Sequence, residues 1–322
     1  MTEAINYAEI FLGNPAPRSN GNVQVPGAPG EFFVDWAEFW AKDQREADWL
    51  FDDVLARGRG HAIYAGFKTG KSLFTLSVAA RLALQGVAVI YLDFEMGEDD
   101  LYDRLSDMGY GAGTDLSHLH YAVLPSQPTL DTALGALALF EKVDAVQKTH
   151  PDEHVAVVID TTARAVAGEE NSADTYRDFY RYTGLGLKQR GVTWARLDHS
   201  GKDQSKGQRG SSAKGDDVDV VWRLVRTDNG IELRRDASRM GWVPAKVAFR
   251  QLAEPLRFVR IAEDWPSGTA EVATVLDGLD IAPEAGERPA GQALRNSGHQ
   301  AGQHLVRAAQ KYRRQRVADG TR

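Results

Sequence analysis

The chain has 322 residues, a formal net charge of -7, 43% hydrophobic residues and no cysteine. That is enough apolar material for one large domain and something small beside it. The acidic balance excludes a chain that is basic throughout, so any nucleic-acid contact must come from local patches. The missing cysteines exclude a disulfide framework, a thiolate metal site and a cysteine nucleophile.

The first residues, Met-Thr-Glu-Ala-Ile-Asn-Tyr-Ala-Glu, lack the basic start and apolar stretch of a signal peptide, and no apolar run approaches the roughly 18–20 residues of a membrane span. The expectation is a cytoplasmic protein without a membrane partner. Residues 1–30, rich in Gly, Pro, Asn and Ser, read as a flexible arm. Residues 31–58 form an aromatic-rich lead-in: Phe32, Phe33, Trp36, Phe39, Trp40, Trp49, Leu50 and Phe51 suggest a helix and a loop packed on the main core, or an oligomerisation arm.

From residue 59 strands and helices alternate. His61–Ala65 is a short apolar strand and Ser72–Gln85 a helix. Val87–Asp93 is a buried strand, Asp99–Met108 a helix and His120–Leu124 a strand. A helix over 130–148 leads to Val155–Asp160, the most apolar strand, and a helix over 173–190 leads to a strand over 192–198. Such alternation predicts an α/β fold with a mostly parallel central sheet covered on both faces. Beyond residue 216 the runs 218–225, 230–235, 246–250 and 257–261 alternate more strictly around turns such as Asp228-Asn229-Gly230, which predicts an antiparallel extension of the sheet. Residues 59–263 are therefore one domain, and residues 264–322 a small helical C-terminal region.

Between the first strand and helix lies Ala65-Gly66-Phe67-Lys68-Thr69-Gly70-Lys71-Ser72. This is a P-loop: successive backbone N–H groups and a helix N-terminus cradle the phosphates of a nucleoside triphosphate. Gly66 and Gly70 permit close backbone approach, Lys71 reaches the β- and γ-phosphates, and Ser72 ligates Mg²⁺. Ala65 replaces the usual first glycine without altering these mechanics, and Lys68 adds charge to the loop or is simply solvated. Asp160, at the end of a buried strand, is placed to hold the magnesium water shell. Glu95, in Asp93-Phe94-Glu95-Met96, is the candidate for orienting or deprotonating water, with Asp93 its competitor. His199, after the strand over 192–198, would lie in the same crevice, where strand ends converge.

The loop 200–214 holds Lys202, Lys206, Arg209 and Lys214 against one acid, Asp203, among glycines, hydroxyls and amides. That suits contact with a flexible phosphate backbone, and the absence of an aromatic argues against base-specific reading. In the tail helix 303–316, Leu305, Ala309 and Tyr312 share one face and Arg307, Lys311 and Arg314 another. With residues 292–297 and the turn at Gly298 this suggests a small DNA-binding helix-turn-helix, or a solvated helix end.

The order of these pieces resembles the RecA-like ATPases and, within them, the hexameric replicative helicases of the RepA type. Asp48-Trp49-Leu50 is similar to that family's lead-in, and Phe94-Glu95-Met96 to its catalytic-glutamate segment. Asp160-Thr161-Thr162-Ala163-Arg164 followed by Glu169-Glu170-Asn171-Ser172 resembles the stretch after its Mg²⁺-binding strand. His199-Ser200 and Arg209-Gly210-Ser211-Ser212 resemble its sensor strand and DNA-facing loop, and Gly215–Val221 its next strand. The resemblance covers residues 46–250. It implies a RecA-like core, ATP hydrolysis at subunit interfaces, a ring or filament, and single-stranded DNA in the central channel. It also implies an arginine donated by the next subunit. Arg239, in Ser238-Arg239-Met240-Gly241, matches that position, although Ala237 stands where many relatives carry lysine, and Arg234 or Arg235 could substitute. A replicative helicase, a non-motor ATPase that coats DNA or regulates replication or recombination, and a small-molecule P-loop enzyme are the three functional readings. The cationic loop and the basic tail argue against the third.

Overall fold

The computed structural model describes residues 33–41, 48–169, 172–200, 217–261, 265–266 and 268–318. The N-terminal arm and all four cations of the 200–214 loop, Lys202, Lys206, Arg209 and Lys214, lie outside the described residues, as do Glu170 and Asn171. Met1–Arg45 and Glu46–Arg322 form two compact units. In the first, helix α1 (Trp36–Ala41) stacks Trp36 on Phe39 and Phe39 on Trp40, edge to face at 5.6 and 5.1 Å, and all three rings are exposed.

The second unit opens with two short antiparallel strands, β1 (Trp49–Phe51) and β2 (Leu55–Ala56). This corrects the expected helix and loop. Trp49 and Phe51 favour extended backbone, and Asp52 and Asp53 turn the chain with φ of 34° and 62°, a region that aspartate tolerates better than most residues.

The main sheet has nine strands in the order β11-β10-β9-β8-β3-β7-β6-β4-β5. They are β3 (Gly60–Ala65), β4 (Ala88–Asp93), β5 (Leu119–Val123), β6 (Val155–Asp160), β7 (Thr193–His199), β8 (Val220–Thr227), β9 (Gly230–Ser238), β10 (Lys246–Ala253) and β11 (Leu256–Arg260). From β8 to β5 every neighbouring pair is parallel; β8 to β11 form the antiparallel extension. Inner strands such as β3, β4 and β6 are buried along their whole length, so they read as apolar runs rather than alternating ones.

Helices cover both faces. On one, α2 (Lys71–Leu84) packs Phe74, Leu76, Val78 and Leu82 against Ile63, Val89, Val158 and Leu197. α3 (Glu98–Asp107) contributes Leu101 and Leu105 to the rim of the same core. On the other, α4 (Ala133–Thr149), α6 (Ala173–Phe179) and α7 (Leu185–Gln189) bury Leu139, Phe140, Phe179 and Leu187 against Ile90, Val157 and Trp194. A one-turn helix, α5 (Thr162–Ala165), lies between β6 and α6. The helix expected over 173–190 is broken by a π-helical turn at Tyr180–Gly184. Gly60 at the start of β3 is required by close packing: a Cβ there would fall 2.4 Å from the Trp194 ring.

Three further helices, α8 (Thr269–Gly278), α9 (Glu287–Asn296) and α10 (Gln303–Ala318), surround a small core of Ala273, Leu276, Ala290, Leu294, Val306 and Ala309. Residues 297–302 connect α9 to α10, a longer join than the three- or four-residue turn typical of a DNA-binding helix-turn-helix. Among the described residues no helix is long and apolar enough to cross a membrane.

Candidate nucleotide site

The C-terminal ends of β3, β4, β6 and β7 converge on one edge of the sheet. The P-loop leaves β3 there and turns into α2. Gly70, immediately before the helix, has φ of 90°, a left-handed conformation that favours glycine, and Lys68 is also left-handed at 57°. No side chain caps α2 and its first turn holds no acid, so its leading N–H groups and the positive end of its dipole face the loop. Thr69 Oγ1 closes the loop by donating to the Gly66 carbonyl at 2.8 Å. Lys71 is buried at the helix start.

Asp160 comes to this cradle from β6. Its Oδ1 accepts from Ser72 Oγ at 3.1 Å and its Oδ2 from the Tyr91 hydroxyl at 2.8 Å. Burial holds the Asp160 carboxyl above the ordinary aspartate range, although Lys71, Tyr91 and Ser72 pull the other way. A carboxylate short of compensating positive charge, next to a second hard oxygen donor, fits Mg²⁺. Burial followed by the Asp160 charge pushes the Tyr91 hydroxyl well above its normal value, so it stays a donor.

Glu95 and Asp93 have different surroundings. Asp93 is fully buried; one oxygen accepts the backbone N–H groups of Glu95 at 2.8 Å and Met96 at 3.0 Å, and the other accepts from the Tyr121 hydroxyl. It shapes the turn that presents Glu95. Glu95 is partly exposed at the mouth of the site. Its Oε1 accepts from Thr161 Oγ1 at 3.0 Å and lies 3.9 Å from His199 Nε2 and 4.0 Å from Arg164 Nε. His199 stacks on Phe67 of the P-loop at 4.8 Å between centroids, and the Ser200 N–H donates to the Ala65 carbonyl at 2.9 Å. The sheet thus brings Lys71, Ser72, Asp160, Glu95 and His199 to one crevice.

Arg239 stands elsewhere. Its N–H donates to the Asp219 carbonyl at 2.9 Å, and the Asp219 N–H donates to Gly60, the first residue of β3. The six residues of β3 span roughly 20 Å, so Arg239 is that far from its own P-loop. The tail cations face inward. Arg307 pairs with Glu287, Lys311 with Asp53 (which also holds Arg260 at 2.8 Å), and Arg314 donates to the Pro283 carbonyl at 3.2 Å.

Sequence reasoning missed four contributors. Thr161 and Arg164 meet Glu95, Tyr91 holds Asp160, and Arg226 at the end of β8 brings a guanidinium nitrogen within 3.9 Å of the place a Cβ would occupy on Gly70. Tyr91 was findable: it sits two residues before Asp93, on the same side of a strand whose end faces the site.

Residues 28–205, more than half of the chain, match the AAA domain family. The chain belongs to the AAA domain family. A P-loop ATPase domain of this kind implies nucleotide binding. Two solved structures show the same fold. One, a helicase-like ATPase domain, aligns with a TM-score of 0.53 at 17% identity, covering 64% of this chain and 86% of that one. The other, a DnaB-like replicative helicase, aligns with a TM-score of 0.53 at 18% identity, covering 64% of this chain and 58% of that one, so the match spans little more than half of the helicase. Among curated protein sequences none matches at a significant level. The RecA-like core expected from the order of motifs is the fold observed, including its antiparallel extension and C-terminal helices.

Proposed function

We propose that this chain is an ATP-hydrolysing, DNA-dependent motor of the RecA-like class, a replicative helicase that works as a ring. One observation carries the reading: a hydrolytic half-site is assembled at one edge of the sheet, while Arg239, the candidate for its completion, stands at the opposite edge, roughly 20 Å away. An arginine so placed can serve only a neighbour's site, and a head-to-tail arrangement of such subunits closes into a ring.

In this mechanism the P-loop N–H groups and Lys71 bind the β- and γ-phosphates. Ser72 and Asp160 hold magnesium, which when bound neutralises charge on the phosphate oxygens. Glu95, oriented by Thr161, aligns a water and takes up its proton as the γ-phosphoryl group leaves. The neighbour's Arg239 stabilises the charge that develops. His199 touches both Phe67 and the neighbourhood of Glu95, and the chain runs from it directly into the cationic loop. Nucleotide state and DNA contact are coupled through that strand end. Lys202, Lys206, Arg209 and Lys214 bind the single-stranded backbone. Arg307, Lys311 and Arg314 are engaged within the chain and contribute less.

ATPase activity with and without single-stranded DNA, unwinding of a forked duplex, and mass in solution test this together. Stimulated turnover, ATP-dependent unwinding and a multi-subunit mass are expected. Stimulation without unwinding would leave a DNA-coating or regulatory ATPase instead, and turnover indifferent to any nucleic acid would overturn both. Mixing Lys71→Ala with Arg239→Ala protein should restore part of the activity each lacks alone, because some mixed interfaces carry both residues.

A further inference from the structure

A second group of chemistry-bearing side chains lies at the sheet edge opposite the P-loop, where β5 begins and α4 ends. His118 immediately precedes β5 and His120 is its second residue, so the two leave the same face. His150 closes α4, and Glu153 follows in a turn whose N–H donates to the His150 carbonyl at 3.2 Å. The Glu153 carboxylate reaches both elements: Oε1 is 3.0 Å from His118 Nε2 and Oε2 is 3.0 Å from His150 Nδ1. One donor atom from each of the three residues falls within 4.8 Å of the others. The His118 and His120 rings stand 4.8 and 5.5 Å from the His150 ring.

A simple clasp of hydrogen bonds between imidazole and carboxylate explains only part of this. Two atoms in the group, His120 Nε2 and Glu153 Oε2, are shielded from solvent and make no hydrogen bond among the described residues, even though Oε2 is close to His150. Shielded nitrogen and oxygen lone pairs facing one another suit a cation between them. Donors around a tetrahedral zinc ion, with bonds of about 2.0–2.2 Å, lie about 3.3 Å apart, so small side-chain rotations would close this set on an ion. Ser117 Oγ, 3.4 Å from His118 Nδ1, is placed to fix that ring from behind. Burial, with His150 and His118 adding to it, lowers the His120 pKa and keeps its ring in the neutral form that ligates. Imidazole donors select a zinc-class ion over magnesium.

We propose that His118, His150 and Glu153, with His120 as the adjacent fourth imidazole, bind one divalent transition-metal ion of the zinc class. The ion would tie β5, the edge strand of the sheet, to the connection between α4 and β6.

The test uses full-length protein without a histidine tag, stripped of metal and then equilibrated with Zn²⁺, and separately with Co²⁺ as a spectroscopic probe. The expected result is one tightly held equivalent, a higher melting temperature, and the intense visible absorption of four-coordinate Co²⁺. His118→Gln and His150→Gln should each weaken binding by more than about tenfold, since losing even an outer partner of a ligand costs ~10–100-fold. Their ATPase rates should match wild type, because the cluster is remote from the P-loop. Less than one equivalent on the wild-type protein would overturn the proposal, as would the weak spectrum of six-coordinate Co²⁺. Undiminished binding in both variants would also overturn it, by placing the ion elsewhere. The wild-type spectrum keeps the proposal falsifiable should a variant fail to fold.

Discussion

The neighbouring strands β4 and β6 end at the same level on the same residue type, Asp93 beside Asp160, yet the two carboxylates do different work. Both are buried at the edge where the P-loop lies. Asp93 is saturated by the backbone of its own turn and by Tyr121. Asp160 faces Ser72 and Lys71 and remains under-compensated. A terminal aspartate on a buried strand therefore declares nothing by itself; what decides its role is whether the following turn or the facing helix takes its oxygens.

Lys71→Ala should give the largest effect on the Asp160 side. It removes the buried cation from the cradle, and turnover should fall by at least about a hundredfold, as when one preorganised charge-stabilising donor is lost. Unchanged ATPase kinetics would move the site away from the P-loop.

The two aspartates should then separate by stability. Asp93→Asn places an amide where two N–H groups and a hydroxyl are already directed, and should cost about 1–3 kcal/mol in denaturant unfolding. Asp160→Asn should cost no stability, because its raised pKa means that the folded protein favours the neutral form; it should instead weaken nucleotide binding in magnesium. Equal losses in both would erase the distinction.

A smaller and broader effect comes from beneath the site. His61 on β3 is fully buried: Nε2 accepts from the Ala56 N–H at 2.9 Å and Nδ1 faces the Trp194 carbonyl at 3.2 Å. Burial depresses its pKa to about 4. Above the unfolded value near 6.5 neither state binds a proton there, and the stability is complete. As pH falls from 6.5 to 4 the unfolded chain is protonated first, and about 3 kcal/mol should be lost. Denaturant melts at pH 7 and pH 5 would measure this, and His61→Asn should flatten the slope.

Much of this was legible in the sequence because it rests on local rules. The P-loop, the apolar run 155–160 and the order of strands and helices are each encoded within a few residues. What was hidden depends on distant partners. Trp49–Phe51 looks like the aromatic face of a helix until Asp52 and Asp53 turn it into a hairpin. Lys311 and Arg307 look like a DNA-facing stripe until Asp53 and Glu287, far away in the chain, take their charge. Arg226 reaches Gly70 only because β8 pairs with β3. His199 and Glu95 were placed correctly from their strand ends, but Thr161, which orients Glu95, had no signal beyond following Asp160.

The most direct measurement is ATP turnover by Glu95→Gln protein, with nucleotide binding followed in parallel. Thr161 and the turn held by Asp93 remain, so binding should stay within about threefold of wild type while turnover falls by ~10²–10⁴, the usual contribution of a positioned general base. Full turnover in this variant would contradict the account and return the role to Asp93.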